Sequence, residues 1–298
     1  MEYHKPVLLN ESVEGLAIQP DGIYVDLTYG GGGHSKEILK RLERGRLIAF
    51  DQDEDANANK VDDERLTLVN QNFSYLKNFL KLYNALPVDG ILADLGISSH
   101  QIDEAERGFS IRFDAELDLR MNQKSSLTAK EIINNYQEAD LKRMFFEFGD
   151  VENAYKLSLL IAEKRKESPI NTTFQFLNAI ERCAPRGKEN KYFAKVFQAL
   201  RIEVNNELEA LKEMLVQALD VLKPSGRLVV ISYHSLEDRL VKNFIKSGNF
   251  KGIIEQDFYG NNLSPFKMIS RKAIVPSEQE IDINKRSRSA KLRIAEKK

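Results

Sequence analysis

"DLTYGGGGHS", Asp26 to Ser35, sets four consecutive glycines between a stretch patterned as a strand and one patterned as a helix. "GIYVDLTYG" enters the loop as an apolar strand. "HSKEILKRLERG" leaves it as a short helix with Ile38, Leu39 and Leu42 on one face and Gly45 expected as its C-cap. Strand, glycine turn and helix in that order open an α/β unit. In such a unit the loop lies at the carboxyl edge of a parallel sheet, where open α/β folds bind ligands.

The pattern extends outward from there. "RLIAFDQD", "RLTLVNQNF" and "VDGILADLGISS" predict three further strands at α/β spacing. "NNELEALKEMLVQALDVLKPSGRLVVISYHS" predicts a long amphipathic helix, a Pro-Ser-Gly turn and a fifth strand, Arg227 to Ser232. "MISRKAIVPS" and "AKLRIAE" predict a closing antiparallel pair, which makes seven strands in all. Between residues 110 and 204 nothing reads as a strand. Helical periodicity runs through "TAKEIINNY", "EADLKRMFFEFG", "ENAYKLSLLIAEKRKE" and "TFQFLNAIER", with capping-box spacing at Thr128/Glu131 and Thr172/Gln175. The expected organisation is a discontinuous sheet domain, 1–109 and 205–298, interrupted by an all-helical subdomain over 110–204. Phe145, Phe146, Phe148, Phe174 and Phe176 are expected to form the insertion's small core rather than a base-stacking surface.

Composition narrows the classes. Of 298 residues, 42% are hydrophobic and 30% charged, an ordinary soluble balance. No apolar run approaches the ~18 residues a membrane helix needs. The polar start "MEYHKPVLLNES" does not read as a signal peptide, so a cytoplasmic protein is expected. The single cysteine, Cys183, excludes an intrachain disulfide and a cysteine-rich metal site, and is expected as a buried side chain. A net charge of -1 neither demands nor excludes nucleic acid. Two local stretches are basic: "NKRSRSAKLRIAEKK", and the run carrying Arg182, Arg186, Lys188, Lys191 and Lys195. Both suit phosphate contacts as well as a solvated face.

The glycine loop does not fit a dinucleotide. In G-x-G-x-x-G framing the third glycine falls on Ser35 or Lys36, and no Gly-Lys-Ser/Thr closes a P-loop. Asp51, ending "RLIAFD", suits the two hydroxyls of an adenosine ribose, in a nicotinamide dinucleotide or in S-adenosylmethionine. Phe73 in "NQNF" suits an adenine or the core. Asp26 reads most simply as a brace that accepts N–H groups of the loop. Asp94 opens "DLGISS" where amino-group methyltransferases carry an Asp/Asn/Ser-Pro-Pro-aromatic tetrapeptide, of which only the first position is kept here. Acceptors around an aromatic amine hold its hydrogens and free its lone pair for in-line attack on a methyl group, largely by orientation. No metal is needed.

Together "HKPVLLNES", "DGIYVDLTYGGGGHS", "DGILADLGISSHQ", "ERGFS", "FQALRIEVNNEL", "GRLVVISYHSLEDR" and "RSRSAKLRIAE" resemble the bacterial 16S ribosomal RNA cytosine-N(4)-methyltransferase family over nearly the whole chain and in the same order. The resemblance implies a seven-stranded Rossmann-like methyltransferase sheet with an inserted helical subdomain for substrate recognition. It implies S-adenosylmethionine as cofactor and a decoding-site cytidine of 16S rRNA in the small ribosomal subunit as substrate. Position by position it implies Gly32, Gly33 and His34 at the cofactor's amino-acid end. Asp51 would hold the ribose, Phe73 the adenosyl group, and Asp94 and Gln101 the remaining cofactor shell. Asp94 and His234 are the expected catalytic residues, His234 as base or as orienting group, with Glu237 and Asp238 bracing its loop. The sequence departs from the family at Ala194-Lys195, where Thr-Arg is usual, and at "DAE", Asp114 to Glu116, where Asp-Gly-Pro is usual. A nicotinamide-dependent oxidoreductase and a non-catalytic RNA-binding assembly factor stay open as alternatives. A homo-oligomer is neither required nor excluded.

Overall fold

A computed structural model describes residues 6–298, so His4 and Lys5 of the "HKPVLLNES" motif lie outside the described residues. The described residues form two compact units, one of 6–96 with 208–298 and one of 97–207.

The first unit is built on one mixed sheet. Its strands are β1 (Ile23–Asp26), β2 (Arg46–Phe50), β3 (Leu66–Val69), β4 (Val88–Asp94), β5 (Leu222–Ser232), β6 (Phe266–Met268) and β7 (Lys291–Lys297). Their order is β3-β2-β1-β4-β5-β7-β6. β1 to β5 pair in parallel, and β7 lies antiparallel between β5 and β6. The continuous apolar runs follow from burial on both faces. Val25, Ile48, Phe50, Ile91, Ala93, Leu228 and Val230 enter one core, while their neighbours Tyr24, Leu47, Ala49, Leu92, Val229 and Ile231 enter another. Because β2 and β3 lie to one side of β1, and β4 and β5 to the other, the strand order reverses between β1 and β4. Asp26 and Asp94 end these two strands, at the switch point where ligand crevices form.

Two expectations shift. The helix after the glycine loop runs Gly33–Arg41 and is capped by Leu42, not Gly45. Gly45 instead packs backbone to backbone, donating to the Pro20 carbonyl at 3.0 Å. β6 begins two residues before Met268, and most of "MISRKAIVPS" beyond it is irregular, with an isolated bridge from Ile274 to Leu292.

The second unit is helical around its own core, with helices 129–135, 138–149, 154–167, 173–180 and 189–205. Both capping boxes form as spaced, Thr128 with Glu131 and Thr172 with Gln175. The helix over 189–205, containing "FQALRIEVN", was not among the expected ones. The sheet-distal boundary expected at 110 falls at 97, because Ile97, Phe109 and Ile111 pack on this core. Phe145 and Phe176 are fully buried and Phe148 packs beside them, but Phe146 and Phe174 face solvent. Cys183 is buried. Lys195 is held by Asp150, with Nζ–Oδ2 at 2.9 Å, and Asp114 accepts the Phe174 N–H at 3.0 Å.

Candidate functional site

The glycines of the loop are glycines for different reasons. A Cβ on Gly33 would collide with the Pro6 ring, and one on Gly32 would come within 2.7 Å of the Tyr29 hydroxyl. Gly30 has a left-handed φ of +49° and nothing within 4 Å of where a Cβ would stand. Its backbone therefore borders open space. Gly32 and Gly33 are small because the protein itself crowds them.

Asp26 braces this loop as expected. Fully buried, it accepts the Thr28 N–H at 3.1 Å and the Ser35 hydroxyl at 2.7 Å, tying both sides of the turn to the end of β1. Burial pushes its pKa up. Asp51, just past β2, accepts the Gly30 N–H through Oδ2 at 2.7 Å and the Asp53 N–H through Oδ1 at 2.9 Å. Each oxygen keeps one lone pair for a further donor. Burial pushes Asp51 up to about 6, against the two N–H groups that favour its ionised form.

Asp94 ends β4 beside them. Its N–H donates to Thr28 Oγ1 at 2.7 Å, and Oδ1 accepts the Tyr233 hydroxyl at 2.7 Å. Oδ2 faces His34 Nδ1 at 3.9 Å, and the side chain remains 22% exposed. Desolvation raises Asp94 to about 6; the His34 ring and the Tyr233 hydroxyl pull in the opposite direction. His34 is buried, and desolvation lowers its pKa, so the ring is neutral at pH 7. Nε2 lies 3.2 Å from the Val7 carbonyl, which only accepts, so the neutral ring carries its proton there. Nδ1 then offers a lone pair toward a carboxylate oxygen. Two acceptors across such a gap form a place for an N–H donor, as a bound ligand's ammonium would supply.

His234 follows β5 and caps the helix Ser235–Ser247. Nδ1 accepts the Glu237 N–H at 3.5 Å, while Glu237 Oε2 accepts the N–H groups of Tyr233 at 2.9 Å and His234 at 3.3 Å. Nε2 stands 3.2 Å from Glu237 Oε1. Asp238 pairs with Arg293 at 2.6 Å and Lys291 at 3.3 Å, fastening that helix to β7. Both acids thus brace the loop. Phe73 is half-buried against the sheet core. Gln101 belongs to the helical unit, where its Oε1 accepts the Ser98 N–H at 3.0 Å in a capping box.

Asp26, His34, Asp51 and Asp94 therefore gather at one sheet edge with the open backbone of Gly30. Tyr233 and Thr28 were missed as partners of Asp94. The strand register held the signal: Asp26 pairs with Leu92, which sets Thr28 opposite Asp94, and Asp94 pairs with Ile231, two residues before Tyr233. Among the described residues no helix is long and apolar enough to cross a membrane.

A parallel sheet closed by an antiparallel β7, with a ribose-type acid after β2 and an acceptor cluster at the switch point, defines the class: a Rossmann-like methyltransferase. The match to the family model then runs over residues 1–298, and the chain belongs to the MraW methylase family. It is an S-adenosylmethionine-dependent methyltransferase, which sets aside the nicotinamide and non-catalytic alternatives. A Flavobacterium johnsoniae protein named ribosomal RNA small subunit methyltransferase H is 59% identical over 298 residues, covering 100% of this chain and 98% of its own. A protein of the same name from Bacteroides thetaiotaomicron is 57% identical over 299 residues, again covering 100% and 98%.

Proposed function

We propose that this enzyme methylates the exocyclic N4 of a decoding-site cytidine in 16S rRNA of the small ribosomal subunit, in the cytoplasm. Relatives bearing the ribosomal RNA name over their full length support the substrate class. The observation that carries the amine as target is Asp94, a half-open carboxylate fixed at the switch point by Thr28 and Tyr233.

The site fits the cofactor on its own terms. The open space beside Gly30, the spare lone pairs of Asp51 and the facing acceptors of His34 and Asp94 suit a glycine-backed nucleoside whose far end carries an ammonium. Bound there, S-adenosylmethionine supplies an electrophilic methyl on a positively charged sulfur. Asp51 takes the ribose hydroxyls, and His34 Nδ1 takes an ammonium N–H. The raised acids around the pocket favour a cation over its neutral, demethylated product.

Asp94 then accepts an N–H of the cytosine amine, turning its lone pair out of the ring. With a pKa near 6 it also holds the proton that the amine sheds after attack, before water removes it. His234 orients rather than abstracts, since its Nδ1 lone pair serves the Glu237 N–H. Ring amines within RNA are reached only once the base is unstacked.

The test is label transfer from tritiated cofactor to small subunits from cells lacking the enzyme, with the methylated nucleotide identified by mass spectrometry. One methyl on the N4 of a single decoding-site cytidine is expected. A methyl on ring carbon, on another base or on protein overturns the proposal. Because phosphate contacts release counterions, subunit binding should also weaken as salt rises.

A further inference from the structure

The two most exposed large apolar side chains among the described residues are neighbours, Phe258 at 98% and Tyr259 at 85% exposure. They sit at the tip of a hairpin leading into β6, closed by a bridge between Gln256 and Asn262. The tip is built rather than loose. Asp257 Oδ1 accepts the N–H groups of Tyr259 and Asn261, each at 2.8 Å, and its Oδ2 accepts from Asn261 Nδ2 at 2.9 Å. The Asn261 carbonyl in turn accepts the Asp257 N–H at 3.0 Å. The two rings stand edge to face, with centroids 5.7 Å apart. A fixed turn that holds two rings out in water leaves their faces available for stacking.

The surroundings are basic. Along residues 242–272 the chain carries Lys242, Lys246, Lys251, Lys267, Arg271 and Lys272 against Glu255 and Asp257; Asp257 is spent on the turn, and Lys267 lies 3.9 Å from Glu296 of β7. The Asn262 carbonyl accepts from Lys298 Nζ at 3.1 Å, which adds another cation at the hairpin's base. A second copy docking through this face by twofold symmetry would set like charges against each other. β6, the edge strand beside it, is only three residues long and carries exposed Lys267 at its middle, which blunts strand addition by another protein. A polyanion with unstacked bases suits both features at once.

We infer that this hairpin is a second RNA contact, on which unpaired rRNA bases stack against Phe258 and Tyr259 while the flanking lysines and arginines meet phosphates. The inference rests on the rRNA reading proposed above. The register places the hairpin at the opposite sheet edge from the methyl-transfer site. Ser232 and Lys291 pair at the carboxyl edge, whereas Lys267 pairs with Glu296 at the other end. At about 3.3 Å per residue the two edges are separated by on the order of 17 Å along the strands. The contact therefore reads rRNA some nucleotides away from the target base and favours a folded rRNA over a short oligonucleotide.

The test compares wild type with Phe258→Ala/Tyr259→Ala and Phe258→Leu/Tyr259→Leu, using deproteinised 16S rRNA at fixed salt, with cofactor affinity as the folding control. Both variants should bind the RNA roughly 10- to 100-fold more weakly, the scale of a lost base stack or two, with cofactor binding unchanged. Wild-type RNA affinity in the Leu variant would show generic apolar docking and overturn the inference. So would loss confined to assembled subunits while naked RNA binds normally, the outcome expected of a ribosomal-protein contact. Unchanged variants alongside an active wild type sink the hairpin alone; a wild type that binds and methylates no rRNA sinks it together with the proposed function.

Discussion

The sheet unit and the helical unit each close around buried apolar cores, yet they differ in how many carboxylates they bury. In the helical unit the buried polar residues are Gln101, Ser110, Ser158 and Thr173, none of them charged, and the ionisable Cys183 and Tyr192 are buried there with burial favouring their neutral forms. The sheet unit buries Asp26, His34, Asp53, Glu237 and Asp238, and holds Asp51 and Asp94 up to about 6. Burying ionisable groups costs stability, and at this strand edge some of that cost goes into bracing, through Asp26, Glu237 and Asp238, and some into the proposed site, through Asp51 and Asp94. The difference teaches where substitutions should cost activity and where they should cost only stability.

The largest expected effect comes from Asp94. Asp94→Asn loses the carboxylate proposed to orient the amine, and kcat should drop by about 10²- to 10³-fold, as when a single preorganised polar group is removed elsewhere. Stability should move the other way. Asp94 is raised from its ordinary 3.8 to about 6 in the folded protein, so its contribution is fully favourable below about pH 4 and is lost as pH rises through 6. The Asn variant should therefore match wild type in urea at pH 4 and exceed it by about 1–3 kcal/mol at pH 8, at 1.36 kcal/mol per pKa unit. A variant that is slower and no more stable at pH 8 would mean that Asp94 is not strained in the empty enzyme.

Asp51 sharpens the same contrast through binding. Asp51→Ala removes both acceptors proposed for the ribose and releases the Gly30 N–H. Charged hydrogen bonds are worth about 1.5–3 kcal/mol each, so losing two should lower cofactor affinity by roughly 10²- to 10⁴-fold in calorimetry. At saturating cofactor kcat should stay within a few-fold. A collapse of kcat with intact affinity would move Asp51 from the cofactor to the reaction.

Tyr233 gives a smaller and more diagnostic effect. Its hydroxyl favours the ionised form of Asp94, so Tyr233→Phe should push the acid limb of the pH–rate profile above its wild-type midpoint near 6. The rate should fall several-fold at pH 6 and hardly at all at pH 8. An even loss at every pH would mark Tyr233 as packing alone.

Local rules made much of this legible. Strands buried on both faces announce themselves as apolar runs, which is why β1 to β4 stand where the sequence places them, while β5 begins at Leu222 and takes in the Pro-Ser-Gly expected as a turn before Arg227. Thr128 and Thr172 announce helix starts because a capping box is a contact over four residues. Asp51 and Asp94 are legible because they follow β2 and β4 at the edge where α/β sheets bind ligands, although Asp26, at the end of β1, shows that a strand-end acid can also be only a brace. What sequence hides is pairing across strands. Tyr233 lies 139 residues from Asp94, and only the register brings them together. Gly33 hides in the same way, since its reason is Pro6, and neither residue carries a sign of the other. The helix over 189–205 is hard to read from sequence although its buried face repeats through Tyr192, Val196, Ala199 and Leu200, because charged residues are interspersed along it.

The smallest effect belongs to the helical unit and tests the contrast from its other side. Thr128 caps the helix Ala129–Asn135, its hydroxyl accepting the Glu131 N–H at 3.2 Å while Glu131 accepts the Thr128 N–H at 2.8 Å. Thr128→Ala frees one helix N–H and leaves the Glu131 carboxylate near a helix N-terminus, where it is still favoured. About 1 kcal/mol of stability should be lost in chemical denaturation, with cofactor affinity and the pH midpoint near 6 unmoved. No group of this cap is buried and ionisable, so no proton should follow the substitution. A shifted pH–rate midpoint in this variant would break the division of labour at its base, because it would show a helical cap feeling the protonation of the strand-end acids.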